Sequence, residues 1–248
     1  MFIEGFARLD RRLVAGLGCR PPGKRGDTAM AYQRIGITFE AVHPPELARW
    51  QTIPTSVASD AMNREGSMVG AIKPLAPTMR LAGQARTVSA MVGDNGIIHA
   101  AVALAAPGEV LVIDAGAGED IAVWGEVLTR AARARRIQGI VLDGATRDAE
   151  AIRNLGFPVF CRAIAPRGPH KGFGGTIDGV VSVGGVAVRP GDLVLGDGDG
   201  VTIVPLGRRV AVLKGAETVI ANEAEWIAAI ETGKTTVEIL GLPKAQLL

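Results

Sequence analysis

The feature that most constrains this chain is an alternation of two segment types between residues 80 and 163. Residues 80–92 read as a strand, 95–106 as a helix, 109–115 as a strand and 126–136 as a helix. A buried strand at 139–144, a helix at 148–155 and a short strand at 158–163 follow. Strands and helices alternating at this length call for a parallel or mixed sheet covered by helices, an α/β fold. Reactive residues then belong in the loops that leave the strand ends. Upstream, Pro54-Thr55-Ser56 separates two helical stretches between Thr38 and Met62. Downstream, residues 176–205 hold closely spaced Val-rich strands and Gly/Asp turns, a β-rich insertion or second layer. A long C-terminal helix over about 207–232 closes the chain.

Apolar residues make up 48% of the 248, ample for one core, and the formal charge of +2 gives no electrostatic reason to expect nucleic acid or an anionic membrane as partner. A small-molecule partner is the better expectation. No apolar run approaches the roughly 20 residues of a membrane span. The two cysteines, Cys19 and Cys161, have no metal-ligand spacing and form no disulfide framework, so a reducing, cytoplasmic setting is expected. Residues 1–29 carry six basic side chains against three acidic ones and end in a Gly/Pro-rich stretch. They read as a disordered N-terminal extension, with residues 30–248 forming a single domain.

Several motifs fail. Gly116-Ala117-Gly118 follows a strand but lacks the third glycine of a dinucleotide fingerprint. Gly196-Asp197-Gly198-Asp199-Gly200 resembles part of a calcium loop, yet the twelfth position is Arg208, so a hairpin turn is the better reading. The three histidines are scattered, and His99, inside an Ala/Val/Ile helix, reads as a hydrogen-bonded structural residue.

One constellation survives. Gly125-Glu126-Val127-Leu128 opens a helix whose free N–H groups at Val127 and Leu128 can hold a carboxylate. The next strand ends in Asp143-Gly144-Ala145-Thr146-Arg147-Asp148. Arg147 can offer forked donors to the same anion or to an enolate oxygen. Asp148 can bind a metal or cap the helix it opens, and spacing leaves both roles open.

These segments, with Gly93-Asp94-Asn95, the run from Pro107 to Asp114, Pro190-Gly191-Asp192-Leu193-Val194 and Asp197-x-Asp199-Gly200, resemble a known family. It contains 4-hydroxy-4-methyl-2-oxoglutarate aldolase, 4-carboxy-4-hydroxy-2-oxoadipate aldolase and the regulator of ribonuclease activity A. The resemblance runs from about Thr52 to the C-terminal helix and implies an α/β/α layered domain with a mixed sheet. It implies a class II pyruvate aldolase using Mg²⁺ or Mn²⁺ with Asp148 as metal ligand, and Arg147, Asn95 and the stretch from Gly125 to Leu128 contacting a small oxo-acid substrate. Glu126 stands where the family holds a metal-associated water. Homotrimers or homohexamers with sites between subunits are also implied, a glutamate of a neighbouring subunit completing each site; Glu223 is the best match, then Glu225.

Oxaloacetate decarboxylation would pass through the same enolate. A Schiff-base aldolase is disfavoured because none of Lys24, Lys73, Lys171, Lys214, Lys234 and Lys244 lies in an apolar strand. The remaining alternatives are a non-catalytic regulator, whose pattern departs at the position of Asp148, and a metal-dependent lyase for another oxo acid.

Overall fold

A computed structural model describes residues 32–245 of the chain. The expectation for residues 1–29 falls outside the described residues. The chain enters through β1 (Tyr32–Arg34), α1 (Pro44–Trp50), α2 (Thr55–Ala61) and the short β2 (Lys73–Pro74). The expected alternation then unfolds as β3 (Leu81–Ala90), α3 (Gly96–Leu104), β4 (Glu109–Trp124) and α4 (Glu126–Ala134). It continues with β5 (Gly139–Thr146), α5 (Ala149–Leu155) and β6 (Val159–Ile164).

Strands β3, β4, β5 and β6 are parallel neighbours in that order, so their C-terminal ends lie together along one side of the sheet. All eight residues of β5 are buried, as expected of a central parallel strand covered on both faces. The β-rich segment resolves into β7 (Gly175–Ile177), β8 (Val181–Val183), β9 (Val186–Val188), β10 (Leu193–Asp197) and β11 (Gly200–Val204). It is not a separate layer. β10 and β7 both pair antiparallel with β3, over Leu81–Gln84 and Val88–Ala90 respectively, and only β8 and β9 form a sheet of their own. The main sheet is therefore mixed, with nine strands.

Alternation along β10 assigns its faces. Val194 belongs to the core under α3, α4 and α5, whereas Leu193 and Leu195 belong to a second core with Trp50, Val57 and Leu213. This gives the layered α/β/α arrangement. After a 3₁₀ turn at Leu206–Arg208, α6 (Arg209–Glu231) buries only Val212, Leu213 and Ala216, and α7 (Thr236–Ile239) follows. No helix among the described residues is long and apolar enough to cross a membrane.

Two buried ionic devices hold the sheet. The Arg86 guanidinium forks onto Glu109 at 2.6 and 2.8 Å and onto Asp178 at 2.6 and 2.9 Å, tying β3 to the start of β4 and to the turn after β7. The Glu109 hydrogen bond, outweighing burial, raises the Arg86 pKa further. At the β10–β11 hairpin, Asp197 accepts from the Thr55 N–H (2.9 Å) and hydroxyl (2.7 Å) and from the Asp199 N–H (3.0 Å). Burial alone would raise its pKa, but those three donors together with the Arg80 charge hold it below the ordinary carboxylate range.

Arg86→Met leaves two buried carboxylates without their shared cation, and urea unfolding is expected to show a loss of about 3 kcal/mol. Because the Asp197 pKa is depressed in the folded state, its stabilisation is complete above the unfolded value near 4 and fades as pH falls through the folded value. Asp197→Asn should therefore lower the midpoint at neutral pH and flatten its decline between about pH 5 and 2, measured by thermal unfolding across that range.

Candidate active site

A cleft of about 180 Å³ opens where β4 and β5 end, lined by Asn95 and His99 of the α3 segment, Ala122–Leu128 except Glu126, Arg147, Asp148, Pro169 and Lys171. Backbone hydrogen bonds set its frame. The Arg147 N–H donates to the Trp124 carbonyl at 3.0 Å, joining the exits of β4 and β5, and the Asn95 Nδ2 donates to the Val123 carbonyl at 3.1 Å. Trp124 is locked by donating from Nε1 to Thr129 Oγ1 at 2.8 Å and by stacking on Phe157.

The side chain of Asp148 does not take the capping role that its position allows. Asp148 is the N-cap residue of α5, but its side chain makes no capping bond there, and its backbone is left-handed, with φ 57° and ψ 36°. That conformation is disfavoured for a residue bearing a Cβ. It turns the carboxylate away from α5 and across to α4, where Oδ2 accepts from the Glu126 N–H at 3.0 Å. Among the described residues no hydrogen bond reaches Oδ1. The Arg147 Nε lies 3.6 Å from Oδ2, a charge contact rather than a hydrogen bond, and both side chains remain partly open to solvent. Helix geometry leaves the Val127 and Leu128 N–H groups of α4 without intrahelical acceptors.

Gly125 makes this approach possible. A Cβ there would stand 2.7 Å from Asp148 Oδ2 and 3.1 Å from the Arg147 Cγ, so any other residue would push the pair apart. Gly168 does the same for the far end of Arg147, where a Cβ would meet Nη1 at 2.7 Å. Asn95 is only 6% exposed, and its Oδ1 has no partner, an orphaned acceptor at a cleft wall.

Glu126, Glu223 and Glu225 do not line this cleft. The Glu126 carboxylate pairs with Arg130 one helical turn on, at 2.7 Å, and does not line the cleft. Glu223 and Glu225 sit on α6, which packs against α2, so neither reaches the cleft of its own chain. His99 is not the hydrogen-bonded structural residue expected. The buried face of α3 is set by Ile97, Ile98, Ala101 and Val102, which leaves His99 exposed on the cleft side. Loss of hydration against the cleft wall, and then the Lys171 charge, lower its pKa. Burial pushes the Cys161 thiol up to about 12, against the Ala163 backbone hydrogen bond and the Arg153 charge, so it is no nucleophile near neutrality.

Among the described residues no three His, Cys, Asp or Glu side chains gather as a metal cage. A zinc centre of the usual three or four protein ligands does not fit. A Mg²⁺-type ion, which keeps several waters and needs one or two carboxylates, does fit a lone Asp148 with an unengaged oxygen.

The RraA-like family model, described as Aldolase/RraA, matches residues 55–203, and the chain belongs to that family. It is 40% identical over 177 residues to a Halalkalibacterium halodurans protein named "Putative 4-hydroxy-4-methyl-2-oxoglutarate aldolase", covering 71% of this chain and 84% of that one. Among solved structures, an uncharacterized protein from Pseudomonas syringae superposes with a TM-score of 0.72 at 27% identity, covering 83% of this chain and 98% of its own. The RNA-processing inhibitor RraA from Thermus thermophilis gives 0.56 at 31% identity, over 61% and 92%.

Gly125→Ala tests the close approach directly. Its crystal structure should show the Asp148 carboxylate displaced from the Glu126 N–H while the unfolding midpoint changes little, since the clash falls on two partly exposed side chains. An unmoved Asp148–Arg147 pair would count against the steric account.

Proposed function

We propose that this protein is a divalent-cation-dependent carbon–carbon lyase. It would cleave 4-hydroxy-4-methyl-2-oxoglutarate or 4-carboxy-4-hydroxy-2-oxoadipate to pyruvate and a second oxo acid, with oxaloacetate decarboxylation through the same enolate. The observation that carries the reading is the Arg147–Asp148 pair that the absence of a side chain at Gly125 admits to one cleft, with Asp148 diverted from capping its own helix α5. The likeness to the Halalkalibacterium protein supports it.

Mg²⁺ or Mn²⁺ held at Asp148 would supply the Lewis acidity that polarises the C2 ketone. The remaining work falls to the chain. The Val127 and Leu128 N–H groups hold the C1 carboxylate at the start of α4. As the C4 hydroxyl loses its proton to water, the C3–C4 bond breaks, C4 becomes a carbonyl, and the electron pair moves to the C2 oxygen. Arg147 stabilises the negative charge that collects there, and protonation at C3 completes pyruvate. The orphaned Asn95 Oδ1 can accept from a substrate hydroxyl or from an ordered water.

The likeness to the Thermus RNA-processing inhibitor supports a second reading, a protein-binding regulator without turnover. A coupled pyruvate assay with and without Mg²⁺ separates the two. Metal-dependent release that EDTA abolishes is expected, with Arg147→Ala and Asp148→Ala each lowering kcat by about a hundredfold or more. No pyruvate from any 4-hydroxy-2-oxo acid or from oxaloacetate would overturn the lyase reading.

A further inference from the structure

A second cavity, of about 280 Å³, lies where β3 and β5 begin, its wall including Leu81 of β3 and Gln138, the residue before β5. Arg147 and Asp148 follow the other end of β5, roughly 25 Å away along eight extended residues, so this cavity is separate from the cleft. Its polar lining is left without partners. Trp50 ends α1 and is 0% exposed within the second core, yet its Nε1, shielded from solvent, has no acceptor. Trp124, equally buried, donates from the same atom to Thr129 at 2.8 Å, the usual state of a buried indole. Among the described residues, the side chains of Gln51, Arg80 and Gln138, which share the cavity wall with Trp50, also form no hydrogen bond or ion pair. An unpaired buried donor is rare enough in a native fold to point to a missing acceptor.

The chemistry of these groups narrows what that acceptor is. An indole N–H and a guanidinium only donate, and the two amides can turn to donate as well. No carboxylate lines the cavity, and Arg80 is its single charged side chain. The Arg80 charge reaches Asp197, but that carboxylate is already engaged by the Thr55 and Asp199 donors. One cation whose field already reaches a fixed anion suits a monoanion better than a phosphate dianion. Ile53, Leu81 and Ala82 give the rest of the wall an apolar surface, which suits a ligand with a short hydrocarbon body.

We propose that this cavity binds a small aliphatic monocarboxylate at a site separate from the cleft. The carboxylate accepts from the Trp50 indole N–H and the Arg80 guanidinium, the Gln51 and Gln138 amides add donors, and the alkyl body packs on Ile53, Leu81 and Ala82. Binding here is independent of whether the cleft turns over an oxo acid.

The experiment titrates the full chain with butanoate and follows the indole N–H resonances of its three tryptophans, Trp50, Trp124 and Trp226, by ¹⁵N–¹H NMR. Trp50→Phe, which keeps an aromatic ring but removes the donor, assigns the Trp50 resonance. Butanoate should shift that resonance saturably and leave the Trp124 resonance in place, whereas 1-butanol, with the same body and no charge, and inorganic phosphate, with charge and no body, should not. By calorimetry, Arg80→Gln and Trp50→Phe should each weaken butanoate binding about tenfold or more, and Asp148→Ala in the cleft should leave it unchanged. Arg80 is exposed, so its variant keeps the test decisive even if Trp50→Phe fails to fold. A Trp50 resonance that butanoate does not move, an equal response to 1-butanol or to phosphate, or undiminished binding in Arg80→Gln overturns the proposal. So does a crystal soaked in butanoate in which only water meets the Trp50 Nε1.

Discussion

The cleft depends on one diversion of backbone. At the end of β5 the chain turns left-handed at Asp148, at a cost of about 1–2 kcal/mol for a residue with a Cβ. The return is a charged hydrogen bond to the Glu126 N–H, worth about 1.5–3 kcal/mol, at a helix N-terminus that already favours negative charge. The terms nearly balance, so neither fixes the geometry alone. The bond from the Arg147 N–H to the Trp124 carbonyl fixes it by joining the two strand exits, and Gly125 leaves the space in which the carboxylate lies.

Around that crossing, buried carboxylates act as clamps on the backbone of distant segments. Asp94 holds the loop at 172–173, Asp143 accepts from the Gly184 N–H and pairs with Arg162, Asp192 accepts from the Arg189 and Leu206 N–H groups, and Asp197 holds Thr55. Several of these aspartates belong to the motifs by which the chain resembles its relatives. The motifs therefore mix two kinds of residue. Asn95, Gly125, Arg147 and Asp148 reach the cleft, whereas the clamping aspartates keep its walls in register.

The sequence and the structure part company where long-range contacts decide. The strand expected at 109–115 runs on to Trp124, because Gly116 and Ala117 take positive φ and let β4 bulge before it meets β5 again at Gly118, Ala122 and Trp124. Only pairing with β5 reveals that continuation. Glu126 was legible as an acidic residue at a helix start, but its i+4 neighbour Arg130 takes the carboxylate. Lys171 gave no signal at all. It comes from a loop after β6, and only the Asp94 clamp brings it to a cleft formed by β4 and β5.

By itself the sequence determined the alternation of strands and helices, a sheet either parallel or mixed, the long final helix and the placing of Arg147 and Asp148 at a strand exit. Hydrophobic periodicity and turn chemistry are local, and they carry that information over a few residues. Only the tertiary structure decided that Asp148 leaves its own helix uncapped, that β7 and β10 share the edge of β3, and that His99 and Lys171 face the same cleft as Arg147. Those outcomes turn on hydrogen bonds and close approaches between residues tens of positions apart, for which a linear pattern holds no periodic trace.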